Sequence, residues 1–172
     1  MNAGTTTDDE ARMLASIPRL RRYARALAGN AVAADDLVQD TLARAWPRLS
    51  SCRGNGELLP WLFTIMHNLH ADQVRRPRLL TVPIEEEAAA VPVRPRQHDN
   101  LELRDLEAAL LKLPEDYRKV LLLVALENMP YAQAAEVLGW PAGTVMSRLS
   151  RARARLRVLL SEESPPVLKV AT

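Results

Sequence analysis

Residues 131–153 read YAQAAEVLGWPAGTVMSRLSRAR, and this stretch decides the fold of the second half of the chain. Small and branched apolar residues precede a turn at Gly139, and Val145 and Leu149 then recur about one helical turn apart. Two short helices joined by a glycine-containing turn are typical of a helix-turn-helix, whose second helix enters the major groove of DNA. The simpler alternative is a helical hairpin with a solvated basic face.

The helix after the turn is rich in arginine. Arg148, Arg151 and Arg155 recur at three- and four-residue spacing and therefore share one face, and Arg153 and Arg157 supply an adjacent one. An arginine-rich helix in this position neutralises several phosphates, and the release of counterions from DNA drives its affinity. The pattern therefore favours a DNA-binding helix, although the net charge of the chain is only +2.

The composition of the chain limits its possible domain count and fold class. The chain has 172 residues, of which 48% are hydrophobic, and this supplies the core of one ordinary domain or of two very small ones. Aromatic residues make up 4% of the chain, and the abundance of Ala, Leu and Arg favours an all-helical protein. Disordered and collagen-like chains are excluded.

The sequence also indicates the cellular compartment in which the protein is expected. No stretch reaches the run of about 20 uncharged apolar residues that a membrane span needs, and residues 1–12 carry three acids where a signal peptide would be basic and then apolar. Cys52 is the single cysteine of the sequence, so an internal disulfide and a zinc site built from cysteines are both excluded. We therefore expect a cytoplasmic protein without membrane insertion.

The spacing of apolar residues predicts helices in two groups. The first group is expected over about 17–27, with a start at Ser16 and Pro18, and over 33–49 and 57–76; the second is expected over 99–113, 116–127, 131–138 and 142–160. Residues 77–98 contain four prolines and three consecutive glutamates, which predicts an extended linker. The predicted fold is all-α, with two small helical domains at 1–76 and 99–172, the second carrying the helix-turn-helix and a frayed tail.

The helix predicted over 57–76 is a second candidate for nucleic-acid binding. Opposite its apolar stripe lie four polar or basic residues: Asn68, Asp72, Arg75 and Arg76. Such side chains beside a Gly-Asn-Gly loop suit the unstacked bases of a single strand. We expect Trp46 and Trp61 in the core rather than on a stacking surface.

Two sets of motifs resemble a known family. DDLVQDT at 35–41 with Ala45-Trp46, then Arg53-Gly54, and then WLFTI at 61–65 with Asn68 and Asp72 resemble region two of a bacterial RNA polymerase sigma factor of the extracytoplasmic-function (ECF) group, in the sigma-70 family. LPEDYR at 113–118, YAQAAEVLG at 131–139 and GTVMSRLSRAR at 143–153 resemble its region four. The resemblance covers about residues 16 to 160, with both sets in the family's order and a linker between them.

The resemblance implies a transcription initiation factor whose partners are the RNA polymerase core and promoter DNA. In the family, the polar face of the second helix docks on the largest polymerase subunit, which here points to Asp36, Gln39 and Asp40. The residues implied at the −10 element are Ser51, Cys52, Arg53, Gly54 and Asn55 in the base-trapping loop, followed by Asn68, Asp72, Arg75 and Arg76. Those implied at the −35 element are Thr144, Met146, Ser147, Arg148, Ser150, Arg151 and Arg155.

The resemblance further implies an anti-sigma factor as a partner, no cofactor and no catalytic residue. The sequence departs from the family at three places. Met146 stands where Lys or Arg is frequent, Gln133-Ala134 replaces Glu-Ile, and Cys52 replaces a common aromatic residue. A base or phosphate contact and a stacking contact are therefore weakened.

Two other functions compete with a sigma factor. His67 and His70 could share a metal ion at helical spacing, but no further ligands follow with suitable spacing, and no phosphate-binding glycine loop or nucleophile elbow is present in the sequence. We therefore expect His67 to pack near the surface of its domain. The other alternative is a two-domain regulator that binds its operator through the helix-turn-helix without polymerase, and it leaves the acidic face of the second helix unexplained.

We predict that residues 77–98 are extended in the free protein, since their prolines and like charges oppose a compact state. Limited proteolysis followed by mass spectrometry should place the first cuts in this segment. First cuts inside either predicted domain would contradict the two-domain organisation.

Overall fold

The structure, a computed structural model, describes residues 3–52, 58–75 and 97–163. Its N-terminal half contains helices α1 (Ala3–Ala28), α2 (Ala31–Ala45) and α3 (Leu58–Arg75), with a 3-10 turn (Trp46–Ser51) after α2. Its C-terminal half contains α4 (Gln97–Lys112), α5 (Glu115–Leu121), a π segment (Leu122–Leu126), α6 (Tyr131–Leu138) and α7 (Ala142–Glu163). Every regular element in these ranges is helical, which confirms the all-α prediction. The predicted linker lies outside the described residues, except that Gln97 and His98 already belong to α4.

Helix α1 continues through Pro18, so the predicted start at Ser16 and Pro18 is wrong. A proline inside a helix removes one backbone hydrogen bond, here the bond to the carbonyl of Leu14. Packing on both sides of that position offsets the loss, because Met13 and Leu20 are both buried in the core. The Ser16 hydroxyl does not cap the helix but donates to the carbonyl of Arg12 at 2.9 Å.

The predicted stop between α1 and α2 at Gly29 and Asn30 is confirmed. Gly29 has φ +71°, a left-handed conformation that glycine adopts without strain. The Asn30 side chain then caps α2 by accepting hydrogen bonds from the amides of Val32 at 2.8 Å and Ala33 at 3.2 Å. A tight turn therefore sets α1 and α2 side by side.

The buried apolar residues of the two halves belong to one continuous core. Leu20, Leu27, Leu37, Leu62 and Phe63 are fully buried in the N-terminal half. In the C-terminal half, Val120, Leu123 and Val145 are fully buried. Trp46 was expected in the core, but it is 51% exposed because it lies in the 3-10 turn after α2 has ended.

The two halves pack directly against each other. Helix α1 contacts α4 and the π segment, and α3 contacts α6. At the centre of this interface the Tyr23 hydroxyl hydrogen-bonds Nε2 of His67 at 2.8 Å and lies 3.4 Å from the carbonyl oxygen of Lys119. His67 was expected near the surface of its domain, but it is only 6% exposed because the C-terminal half covers it.

Burial controls the ionisation of the groups in this interface. Burial, together with the nearby charges of Lys119 and His70, lowers the pKa of His67 to about 3. Burial, together with the carboxylate of Glu127, raises the pKa of Tyr23 well above its ordinary value. Tyr23 and His67 are therefore both neutral near pH 7.

We predict that the free energy of unfolding falls as the pH falls from 7 to 5, in part because of His67. The unfolded imidazole has a pKa near 6.5 and the folded one near 3, so below pH 6.5 the unfolded state takes up the proton first. The contribution of His67 is complete above pH 6.5 and is lost towards pH 3, with about 2 kcal/mol lost at pH 5. His67→Gln should remove this part of the slope in urea unfolding at each pH.

The matched control for this measurement is His70→Gln. His70 is only half-buried, and Glu115 opposes the effect of burial on its pKa. His70→Gln should therefore keep most of the slope. Parallel slopes for wild type and His67→Gln would contradict the assignment to His67.

Candidate nucleic-acid and polymerase interface

Helices α6 and α7 form a compact pair around a left-handed glycine. Gly139 has φ +65°, and the amide of Trp140 donates to the carbonyl of Ala135 at 3.0 Å, which closes the end of α6. Ala134 of α6 and Val145 and Leu149 of α7 are buried. The apolar residues read from the sequence therefore join the two helices, and the opposite side of α7 is left at the surface.

The outward side of α7 is polar, basic and accessible. Five residues predicted to contact the −35 element are exposed: Met146, Ser147, Ser150, Arg151 and Arg155. Thr144 is half-buried, and its carbonyl accepts a hydrogen bond from the Ser147 hydroxyl at 3.1 Å. A shallow groove of about 380 Å³ runs along this side and is lined by Tyr131, Met146, Leu149, Ser150, Arg153, Ala154 and Arg157.

Arg148 differs from the other arginines of α7. Its guanidinium lies 4.0 Å from the centre of the Trp140 ring, and its Nη1 is 3.1 Å from Oδ2 of Asp116 in α5. The side chain is therefore held within the protein by a cation–π contact and an ion pair. Arg148 fixes the start of α7 against α5 and the turn, so Arg151 and Arg155 are the more available of the three arginines that share a face.

Helix α2 presents a second polar face. Asp36, Gln39 and Asp40 are all exposed, whereas Leu37 and Thr41 on the opposite side are buried. The Thr41 hydroxyl is satisfied by the carbonyl of Leu37 at 2.6 Å, so the buried side of the helix needs no further polar partner. The two carboxylates and the amide are therefore free to meet another protein.

A third polar face lies on the last turns of α3. Asn68, Asp72 and Arg75 are exposed and follow each other at four- and three-residue spacing, so they form one row. Cys52, which precedes the predicted base-trapping loop, is half-buried. Arg53, Gly54, Asn55 and Arg76 lie outside the described residues, and so does the side chain of Ser51.

One polar cluster joins the two halves and was missed in the sequence. The Glu127 carboxylate, whose side chain is completely buried, accepts hydrogen bonds from Arg19 Nε at 2.8 Å and Arg22 Nη2 at 2.9 Å. Arg19 also donates to the backbone carbonyl of Glu127 at 3.2 Å, and Arg22 to that of Leu126 at 3.3 Å. The only feature of the sequence that could have indicated this cluster is the pair of arginines, Arg19 and Arg22, one turn apart in α1.

Arg118 and Glu115 make further polar contacts, both between the halves and within the C-terminal half. The Arg118 guanidinium donates to the carbonyl of Leu27 at 2.7 Å and to those of Leu111 at 3.0 Å and Leu113 at 3.2 Å. His70 Nδ1 lies 3.3 Å from Oε1 of Glu115, which also pairs with Lys119 at 2.5 Å. Burial would raise the pKa of Glu115, but Lys119 and the neighbouring positive charges lower it overall.

Two properties of the described residues bear on the other functions considered. No group of three or more His, Cys, Asp or Glu side chains among them is placed to hold a metal ion. No helix within the described ranges is long and apolar enough to cross a bilayer.

Comparison with known proteins identifies the family. Residues 103–156 match the family model for sigma-70 region 4, and residues 13–67 match the model for the sigma2 domain of PhyR. The ECF RNA polymerase sigma factor EcfG of Rhodopseudomonas palustris is 42% identical over 149 residues, which are 86% of this chain and 82% of that protein. The chain belongs to the ECF family of RNA polymerase sigma factors. It is therefore a transcription initiation factor, and a regulator that acts without polymerase is not favoured.

Two solved structures resemble this sigma factor over both halves. The sigma factor RpoE in complex with the anti-sigma factor NepR from Bartonella quintana is 36% identical, with a TM-score of 0.75 over 91% of this chain and 99% of that one. CnrH in complex with the cytosolic domain of CnrY is 29% identical, with a TM-score of 0.70 over 94% of this chain and 93% of that one. The fold therefore agrees with that of both neighbours.

Proposed function

We propose that this sigma factor uses three separate faces to direct the polymerase core to promoters. The outer face of α2 holds core polymerase, the outer face of α7 reads the −35 duplex, and the end of α3 with residues 51–55 traps the −10 strand. The observation that carries the proposal is that each described face is polar and exposed and lies on a helix whose opposite side is buried in the core.

The −35 assignment rests on the position of α7 after the glycine turn. In a helix-turn-helix, the first residues of the second helix contact base edges and the later ones meet the flanking backbone. Met146, Ser147, Ser150 and Arg151 lie in the first three turns, and Arg155 and Arg157 follow. Met146 is 50% exposed and carries no charge, so Ser147, Ser150 and Arg151 supply most of the polar recognition.

The −10 assignment rests on the exposed row of α3. Asn68 and Asp72 offer hydrogen bonds to the edges of unpaired bases, and Arg75 offers a positive charge to the backbone. Trp46, which is 51% exposed, adds an aromatic surface near the start of the same loop. Single strands are gripped by this combination of stacking surfaces and positive charge.

An anti-sigma factor is the third proposed partner. RpoE and CnrH, which are among the solved structures similar to this chain, are each bound to another protein, which for RpoE is an anti-sigma factor. All the proposed partners other than DNA are proteins, and the site of action is the cytoplasm. No catalytic residue and no cofactor enter the proposed mechanism.

The test of this function is transcription in vitro with purified core polymerase and a promoter library. The sigma factor with core should select promoters that carry both elements, whereas the chain alone should bind them poorly. Tight, specific operator binding without core would contradict the proposal.

We predict that Asp36→Arg/Asp40→Arg abolishes binding to core polymerase, because it reverses two charges on the exposed face of α2 and leaves its buried side intact. The measurement is affinity for core by fluorescence anisotropy, with circular dichroism to check the fold. Asp105→Arg/Glu107→Arg is the control, since it changes the net charge equally at exposed positions of α4. Equal affinities of the two variants for core would reject the assignment.

We predict that Arg151→Ala and Arg157→Ala weaken DNA binding in different ways. Loss of a base contact at Arg151 should cost about 1–3 kcal/mol and relax the preference at one promoter position. Loss of a phosphate contact at Arg157 should weaken binding to all sequences alike and reduce the salt slope by about one unit. Transcription from promoter variants at two salt concentrations distinguishes them, and equal, sequence-independent losses would show that Arg151 contacts only the backbone.

A further inference from the structure

We propose that Met146 reads a thymine of the −35 element by packing against its C5-methyl group. Met146 and Tyr131 both line the groove of about 380 Å³ that runs along the outward side of α7. The proposal rests on the function proposed above, because it assumes that this side of α7 faces the −35 duplex. It adds a recognition contact that involves no hydrogen bond.

The groove beside α7 changes in character along its length. Four of its residues follow each other at spacings of four, three and four, so they form one row: Met146, Ser150, Arg153 and Arg157. The row is about 16 Å long, at about 1.5 Å per residue. It is apolar where it begins, at Met146, and basic where it ends. The two arginines that line the groove therefore lie away from Met146.

The apolar surface of this groove is open to a partner. Met146 is 50% exposed and Tyr131 is 43% exposed, although both side chains are large. Leu149, which is 2% exposed, also lines the groove. Because Val145 and Leu149 already join α7 to α6, the Met146 side chain is not needed for the packing of the two helices. Two exposed apolar side chains in one groove indicate a contact surface.

The position of Met146 along α7 favours a contact with a base edge. Helix α7 begins at Ala142, so Met146 lies in its second turn, and residues near the start of a recognition helix contact base edges in the major groove. The base edges there present hydrogen-bonding groups, and the C5-methyl group of thymine is their one apolar feature. The Met146 thioether donates no hydrogen bond and is only a weak acceptor. Its complement on the DNA is therefore the methyl group.

The basic end of the groove fits the same orientation of the DNA. Arg153 and Arg157 are exposed and follow Met146 by about two and three helical turns. Residues this far along a recognition helix meet the sugar-phosphate backbone, and arginine neutralises its phosphates. The groove thus matches a duplex with a thymine beside Met146 and flanking phosphates beside the two arginines.

The test removes single methyl groups from the DNA. Deoxyuridine keeps the hydrogen-bonding groups of thymine but lacks its methyl group. It replaces each thymine of the −35 element in turn, on both strands of a promoter that wild type with core polymerase has selected from a library. The measurement is the affinity of the sigma factor with core for each DNA. At one position deoxyuridine should weaken wild-type binding about fourfold, the effect of losing one buried methyl group.

Three variants of Met146 test whether its side chain makes the contact. Met146→Ala removes the side chain at an exposed position, and alanine is the best helix former. Met146→Gln keeps the length of the side chain but is polar, and Met146→Leu keeps its apolar character. The Ala and Gln variants should bind thymine and deoxyuridine DNA equally, whereas the Leu variant should keep the preference for thymine.

The matched control is Val158→Ala, because Val158 is 44% exposed on the same helix but does not line the groove. This variant should keep the fourfold preference. Each protein is compared with itself on two DNAs, so differences in fold or in affinity for core cancel.

The proposal is overturned if wild-type binding depends on no methyl group, or if the selected −35 element contains no thymine. If binding depends on no methyl group and Met146→Ala lowers the affinity for core without DNA, the groove binds a protein instead. The proposal also fails if Met146→Ala keeps the preference, because the methyl group then acts through DNA shape or another residue. Loss of the preference in Met146→Leu, or its retention in Met146→Gln, would show that apolar character is not the cause.

Failure of this proposal and failure of the proposed function give different results. If wild type with core selects no promoters that share a −35 element, the proposed function fails. If it selects such promoters but the thymine preference is absent or independent of Met146, only the methyl contact is wrong.

Discussion

The arrangement of this protein depends on one carboxylate that is removed from water. Glu127 is buried between the halves, and two arginines from α1 supply four hydrogen bonds to it and to the adjoining backbone. Removing the partners of a buried charge costs about 3–5 kcal/mol in proteins, which is a large fraction of the stability of a small domain. The hydrogen bond between Tyr23 and His67 and the one from the Arg118 guanidinium to the Leu27 carbonyl lie in the same interface.

Local sequence patterns predicted the parts of the fold that are determined locally. The bounds of α6 and the turn at Gly139 follow from apolar spacing and from the left-handed conformation that glycine provides. The stop at Gly29 and Asn30 follows from the same chemistry. The exposed faces of α2, α3 and α7 were predicted from the polar residues opposite each apolar stripe, and the resemblance to sigma factors supplied their roles.

Features that depend on distant contacts were not predicted. Arg19 and Glu127 are 108 residues apart, and no periodicity connects them. Pro18 favoured a helix start, but the buried residues before and after it carry α1 through. Trp46 is a large aromatic residue of the kind expected in a core, yet α2 ends just before it and leaves it at the surface. His67 is covered because the C-terminal half of the chain packs on the N-terminal half. In each case tertiary packing outweighed the local signal.

The π segment determines the direction in which the Glu127 side chain points. A π turn is an α-helix with one residue inserted, and the amide of Glu127 accordingly bonds to the carbonyl of Leu122, five residues earlier, at 3.1 Å. Without that extra residue, the positions that follow would rotate by about 100° around the helix axis. The carboxylate would then no longer face α1. A single-codon insertion or deletion in this helix is therefore enough to gain or lose the contact between Glu127 and α1.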